Sequence, residues 1–374
     1  MIKLAFIIRS LDGGGAERQL VSLVKALDKT RFDVTVFTFY AGGMLEKELE
    51  GCDVRLINLG KRGRWHLLGF LYRFARHLRR LRPDVIHGYL DISNLLALSS
   101  RLFLSGPKII WGARSSDRDL WHYDWLRRLS SRLERIFSRF ADCIIVNSRV
   151  GREHLLKRGF PAEKLSVIHN GIDTEAFRPD PSARVKIRRE WGIREDAILI
   201  GIVGRLDPVK DHQTFLRAAS ILHKQRPEVY FVCVGSGAAS YRQRLEHLIE
   251  QQSLSGKIYW AGVRSDMHAV YNALDLHVSS SQSEGFSNAI GEAMACAVPC
   301  VVTDAGDSAL IVGDTGFVSA PLDAGALAST LISCLESDRN ALGVKARLRI
   351  KENWSVERLA ERTEKLIAGL LEKN

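Results

Sequence analysis

Short apolar runs, each closed by a glycine- or aspartate-containing turn and followed by a stretch of helical period, recur along the chain and constrain its fold more than any other feature. Leu4–Ile8, Val34–Phe39, Val54–Ile57, Asp84–His87, Lys108–Trp111 and Cys143–Val146 read as strands. Helical stretches near 16–27, 67–80, 92–103, 121–139 and 149–158 separate them. Runs apolar on both faces belong inside parallel sheets covered by helices, which predicts an α/β protein. A second series runs through Ile198–Val203, Tyr230–Val234, Ile258–Trp260, Leu276–Val278 and Cys300–Val302, with helices near 211–224, 239–251, 266–273, 288–295 and 323–336. Between the two lies His169-Asn170-Gly171-Ile172-Asp173-Thr174-Glu175-Ala176-Phe177-Arg178-Pro179, the best domain boundary. Each series opens with a strand, a glycine loop and a helix, and ligands of doubly wound sheets bind beyond the carboxyl ends of the strands.

The 374 residues suffice for two domains with their own cores. No apolar run reaches the ~18–20 residues of a membrane span, and the apolar start, broken by Arg9, is too short for a signal peptide. Six cysteines without a Cys-x-x-Cys pair indicate neither a disulfide framework nor a zinc site, so the chain reads as cytoplasmic. Its net charge of +11 is unevenly spread: residues 1–178 carry +12 and residues 179–374 carry −1. A basic first half implies a polyanion, an anionic membrane surface or a phosphorylated ligand.

Three segments carry chemistry. Asp12-Gly13-Gly14-Gly15-Ala16-Glu17-Arg18 follows the first strand and opens a helix. Its glycines let backbone N–H groups approach an anion, beyond what a tight turn requires. It has neither the dinucleotide-binding spacing nor a Walker lysine. Gly204-Arg205-Leu206-Asp207-Pro208-Val209-Lys210-Asp211 places Arg205 and Lys210 at a second strand–helix junction, as a diphosphate clamp or as two solvated cations. In Ser281-Gln282-Ser283-Glu284-Gly285-Phe286-Ser287-Asn288-Ala289-Ile290-Gly291-Glu292, two carboxylates stand eight residues apart across a helix start. That pattern suits vicinal hydroxyls beside a phosphate, and equally a helix with exposed glutamates.

Together with Val146-Asn147-Ser148, Val167-Ile168-His169-Asn170-Gly171-Ile172-Asp173 and the run from Glu284 to Pro299, these segments resemble the retaining GT-B glycosyltransferases of the GT4-type family, whose E-x7-E signature the last run matches. The resemblance spans the chain from first strand to last helix. It implies two Rossmann-like doubly wound domains facing a central cleft: 1–175 for the acceptor, 176–352 for the nucleotide sugar, and a C-terminal helix, 353–374, crossing back onto the first. Position by position, it implies that Arg205 and Lys210 hold the donor diphosphate and that Glu292 bonds the ribose hydroxyls. Glu284 holds the hexose and its phosphate, together with the backbone of Gly285, Phe286, Ser287, Asn288 and Ala289. Backbone groups around Val263 and Arg264 face the base, and Gly14 and Gly15 approach the phosphates. Arg205, Lys210 and Glu284 are thus the catalytic set, with Glu284 positioning the sugar rather than attacking it. The donor is a UDP or GDP sugar, the acceptor a glycan or a polyprenyl-diphosphate-linked one, and no metal or other cofactor is expected. The setting is bacterial surface-polysaccharide synthesis.

Many relatives carry a His where this chain has Arg114; Arg114 and His87 are therefore the acceptor-side candidates, His87 also suiting a structural role. Asp117-Arg118-Asp119 matches the D-x-D of another glycosyltransferase fold and reads as a solvated charge run. Gly235-Ser236-Gly237 lacks the third glycine of a nicotinamide fingerprint and reads as a turn lining the nucleotide side. Residues 61–82 and 121–139 interleave arginines with Trp65, Leu68, Leu71, Tyr72, Trp121, Tyr123 and Trp125, as basic amphipathic helices on anionic lipid do, and equally as helices with one face on the sheet and solvated cations on the other. No nucleic-acid-binding motif accompanies the basic half. The competing reading is a nucleotide-sugar 2-epimerase on the same fold.

Overall fold

The computed structural model describes residues 1–63, 67–113 and 132–372. Arg114, Asp117–Asp119, Arg64, Trp65 and the aromatic and basic residues from Trp121 to Arg128 lie outside them. Two compact units divide the chain: Met1–Gly171 with Val356–Asn374, and Ile172–Ser355.

In the first unit, β1 (Ile2–Ile8), β2 (Phe32–Thr38), β3 (Val54–Asn58), β4 (Val85–Tyr89), β5 (Lys108–Ala113), β6 (Cys143–Val146) and β7 (Leu165–Val167) pair in parallel. Among the described residues their order is β3-β2-β1-β4-β5-β6-β7. Leu4 to Ile8 are wholly buried, which is why β1 reads as a continuous apolar run and not as an alternation. The helix Leu68–Leu81 buries Phe70, Phe74 and Leu78, one side chain per turn on one stripe. The helix Val356–Leu371 packs here as well. Its Leu359, Ala360 and Ile367 join a core with Leu20, Leu23 and Val24, and Glu364 accepts from Asp28 N–H (2.9 Å) and Arg31 (3.0 Å).

The second unit holds β8 (Leu199–Val203), β9 (Tyr230–Val234), β10 (Ile258–Gly262), β11 (Leu276–Ser279), β12 (Cys300–Thr303) and β13 (Phe317–Ser319), all parallel, in the order β10-β9-β8-β11-β12-β13. Wholly buried Arg188 ties the amino ends of β8 and β11 together. It donates to the carbonyls of Ala273, Arg194, Glu195 and Ala197 and pairs with Asp275, which also accepts from Leu199 N–H at 2.7 Å. The chain leaves the first unit at Gly171, whose N–H and C=O both bond the Gln19 carboxamide at 2.8 Å. Residues just beyond it belong to the second unit because Arg347 donates to Thr174 O (3.0 Å) and Ile172 N–H donates to Trp354 O (2.8 Å).

Strand order reverses once in each sheet, between β1 and β4 and between β8 and β11. Helices leave opposite faces at such a point, so the loops part and open a crevice at the carboxyl ends of the strands.

Candidate functional site

The second unit's crevice lies between the loops after β8 and β11, and these are the segments that hold Arg205, Lys210 and Glu284. After β8, Asp207 accepts from Val209 N–H (3.0 Å) and Pro208 opens a short 3-10 turn, Pro208–Lys210. Asp211 then takes a left-handed φ of 48° and caps the helix His212–Gln225 through Thr214 N–H (3.2 Å) and Oγ1 (2.7 Å). This reversal sends the Lys210 side chain to Glu284, with which it forms a direct ion pair. The two loops are laced together by Ser280 Oγ on Lys210 O (3.0 Å) and Asp211 O (2.9 Å), and by Gln282 N–H on Val209 O (2.8 Å).

Glu284 is a shielded carboxylate, its side chain 11% exposed. Lys210 Nζ and Ser281 Oγ (2.8 Å) both bond Oε1, and Oε2 accepts no hydrogen bond from the described residues. From the other side the loop rests on Gly306. Asp307 N–H donates to Gly285 O (3.1 Å), and Gly306, at φ +61°, passes so close that a Cβ there would lie 2.1 Å from Glu284 O. Gly306 is a supporting residue that the sequence reading missed.

The helix Asn288–Ala295 starts at Ser287, whose side chain makes no capping bond. Asp180, Asp211, Asp323 and Asp338 do cap their helices. An uncapped helix start presents backbone donors and positive potential to an anion. Glu292 lies on this helix, and the hydroxyl of buried Tyr271 donates to its Oε2 (2.9 Å). The helix is seated closely: a Cβ on Gly291 would stand 2.7 Å from Ile172 Cγ1.

Adjoining loops extend the surface. Gly204 N–H donates to Val234 O (2.9 Å), Leu206 N–H to Ser236 O (2.9 Å) and Gly235 N–H to Gly262 O (2.7 Å), joining the turns after β8, β9 and β10. Gly235 and Gly237 allow this, since a Cβ on either would lie 2.0 Å from the carbonyl of Gly204 or Leu206. Arg205 extends into solvent, its side chain 76% exposed, with a 3.5 Å contact to Asp207. Val263 is likewise exposed. Beneath the site, burial and the nearby Lys210 charge depress the imidazoles of His212, to about 4, and His277, to about 3.

At Phe286 and Arg264, both expected to serve through their backbone, the side chains turn elsewhere; the acceptor-side expectation for His87 needs correction. The Phe286 ring is buried against Trp354 (6.0 Å between centroids), so it belongs to the core and only its backbone can reach a ligand. The Arg264 guanidinium is committed to Glu190 and Asp266, leaving the backbone there to face outward. His87 is 1% exposed, its ring packed on Phe6 (5.2 Å) and Tyr89 (4.8 Å), and does not offer itself to an acceptor. Gly14 and Gly15 lie in the first unit, where Gly14 precedes the helix Gly15–Ala26 without a side-chain cap. No group of three or more His, Cys, Asp or Glu among the described residues could hold a metal ion.

Residues 13–176 match the Glycosyltransferase Family 4 model and residues 183–365 that of Glycosyl transferases group 1. A Campylobacter jejuni relative, N-acetylgalactosamine-N,N'-diacetylbacillosaminyl-diphospho-undecaprenol 4-alpha-N-acetylgalactosaminyltransferase, is 25% identical over 81% of this chain and 81% of its own. The D-inositol 3-phosphate glycosyltransferase of Paenarthrobacter aurescens is 26% identical over 81% of this chain and 79% of its own. Among solved structures, Anabaena HepE in complex with UDP-glucose superposes with a TM-score of 0.82 at 23% identity, over 100% of both chains. Both units match a family model and the pair of parallel sheets matches GT-B structures throughout: the chain belongs to the GT4-type, group 1 glycosyltransferases.

Proposed function

We propose that the protein moves a hexosyl or N-acetylhexosaminyl group from a UDP or GDP sugar to a glycan or polyprenyl-diphosphate-linked acceptor in bacterial surface-polysaccharide synthesis. Transfer retains the anomeric configuration and needs no metal ion. The observation that carries this reading is the Lys210–Glu284–Ser281 array at the reversal of strand order, with Glu292 on the helix just beyond. Departure of a nucleoside diphosphate builds charge on phosphate oxygens, and fixed cations and backbone donors stabilise it. Lys210 and exposed Arg205 supply the cations, and the uncapped start at Ser287 supplies the donors. Glu284 Oε2 accepts a sugar hydroxyl, which fixes the ring while the leaving phosphate takes the acceptor's proton. Glu292 bonds the ribose. HepE was solved with UDP and with UDP-glucose, and the Campylobacter relative is named for an undecaprenol-diphosphate acceptor, both in keeping with this chemistry.

A lipid-linked acceptor calls for membrane contact, and the helix Leu68–Leu81 suits it. Leu67, Leu68, Leu71 and Tyr72 are exposed at its amino end, and Arg76, Arg79 and Arg80 at its carboxyl end. Apolar insertion and attraction to anionic headgroups are thus divided along one helix. Leu68→Glu with Tyr72→Glu should abolish flotation with phosphatidylglycerol vesicles and leave donor binding intact; unchanged flotation refutes the assignment.

The activity is tested by incubating the protein with UDP-glucose, UDP-N-acetylglucosamine, UDP-N-acetylgalactosamine or GDP-mannose and a polyprenyl-diphosphate sugar, with EDTA present. One donor should yield nucleoside diphosphate and a glycoside of the donor's anomeric configuration. An epimerised sugar from donor alone supports the isomerase, and no nucleotide release from any donor removes the transferase reading.

A further inference from the structure

We infer that Tyr271 is a positioning residue that aims Glu292 and thereby sets selectivity for ribose over deoxyribose in the donor. The inference rests on the assignment of Glu292 to the ribose hydroxyls.

Tyr271 is wholly buried in the helix Met267–Ala273, and its hydroxyl reaches across to Glu292 Oε2 at 2.9 Å. The ring makes edge contacts with Phe177 and His277, each 5.9 Å between centroids. A phenol so packed has one place for its oxygen. Burial and the neighbouring Glu292 carboxylate push its ionisation well above the usual range, so it stays a donor at any assay pH.

This phenol is an anchor for Glu292. The glutamate is half-buried on an eight-residue helix whose backbone is already seated on Ile172, yet three torsions separate that backbone from the carboxylate. A charge-assisted bond from a rigid donor selects one rotamer and fixes one carboxylate oxygen. Binding to a prearranged acceptor avoids the ordering cost that a loose one incurs. A ligand lacking a ribose hydroxyl cannot use that arrangement, so the phenol raises discrimination without touching the nucleotide.

The test measures Kd by calorimetry for UDP, GDP and their 2′-deoxy counterparts on wild type, Tyr271→Phe, Glu292→Ala and the double variant, all as full chains. Wild type should favour the ribonucleotide of one base, and Tyr271→Phe, with the ring retained, should reduce that preference by about tenfold. Because Tyr271 acts through Glu292, adding Tyr271→Phe to Glu292→Ala should change nothing further. If Glu292→Ala removes the preference and Tyr271→Phe leaves it, or if the two losses multiply, the positioning role is refuted. If Glu292→Ala leaves the preference unchanged, or wild type shows none, the ribose assignment itself fails and the inference with it. A melting curve for Tyr271→Phe separates a folding defect from lost selectivity, since a purely structural phenol lowers Tm without moving the ratio.

Discussion

Replacing Gly306 by alanine should damage catalysis through the backbone of Glu284, and Gly256 provides the control. Both glycines have left-handed φ angles, +61° and +76°. Alanine in that region costs about 1 kcal/mol at either site. They differ in surroundings: a Cβ on Gly256 meets nothing within 4 Å, whereas one on Gly306 would lie 2.1 Å from Glu284 O and 2.9 Å from Gly285 O. Ordinary contact requires the Glu284 carbonyl to recede by roughly 1 Å, an overpacking strain of about 1–3 kcal/mol. Total destabilisation is therefore about 2–4 kcal/mol for Gly306→Ala against about 1 kcal/mol for Gly256→Ala. The recession also moves the Glu284 carboxylate, to which we assign the donor sugar, and a misplacement of this size costs about a hundredfold in rate. Urea melts give the first difference and steady-state nucleotide release under saturating donor gives the second. Equal kcat values for the two variants would refute the claim that Gly306 supports the catalytic loop.

Lys210→Ala should lower kcat by about 10²–10³-fold and stability by about 1–2 kcal/mol, since a partly buried carboxylate loses its partner; kinetics and melts check both. Arg188→Ala should destabilise by about 2–4 kcal/mol in denaturant melts, because the buried carbonyls of Arg194, Glu195 and Ala197 lose their donor while Asp275 keeps only Arg184 as its charged partner. Acid should weaken the fold through His212. Its folded value, about 4, lies below the ordinary 6.5, so the unfolded chain binds the proton first. Its contribution is complete above pH 6.5 and is lost as pH falls towards 4, by up to about 3 kcal/mol. His212→Gln should flatten the pH dependence of ΔG over that interval; an unchanged slope contradicts the burial argument.

Burial on both faces made most strands legible as unbroken apolar runs. β7 and β13 escaped because three residues carry no period, and the helix Arg339–Trp354 because it lacks a clear apolar stripe. The helix Pro181–Glu190 was concealed by the Asp and Pro that suggested a linker, although Asp180 is its N-cap, accepting from Ser182 and Ala183 N–H groups. Within the site, the spacing of Glu284 and Glu292 was plain from sequence. The Lys210–Glu284 pair was not, since it depends on how the loops after two non-consecutive strands meet. Gly306 and Tyr271 were invisible for the same reason: each acts on a residue brought near only by the fold. Phe286 shows the converse, a residue inside a stretch expected to face the donor whose side chain packs into the core.

Nucleotide binding tests the central claim most directly. Thermal shifts of the full chain with UDP, GDP, ADP and dTDP, with and without EDTA, should show one base stabilising wild type by about 2.7 kcal/mol at ~100 times its Kd. The shift should survive EDTA and vanish in Glu292→Ala. A panel in which no nucleotide shifts wild type, or in which Glu292→Ala shifts as wild type does, would contradict the account.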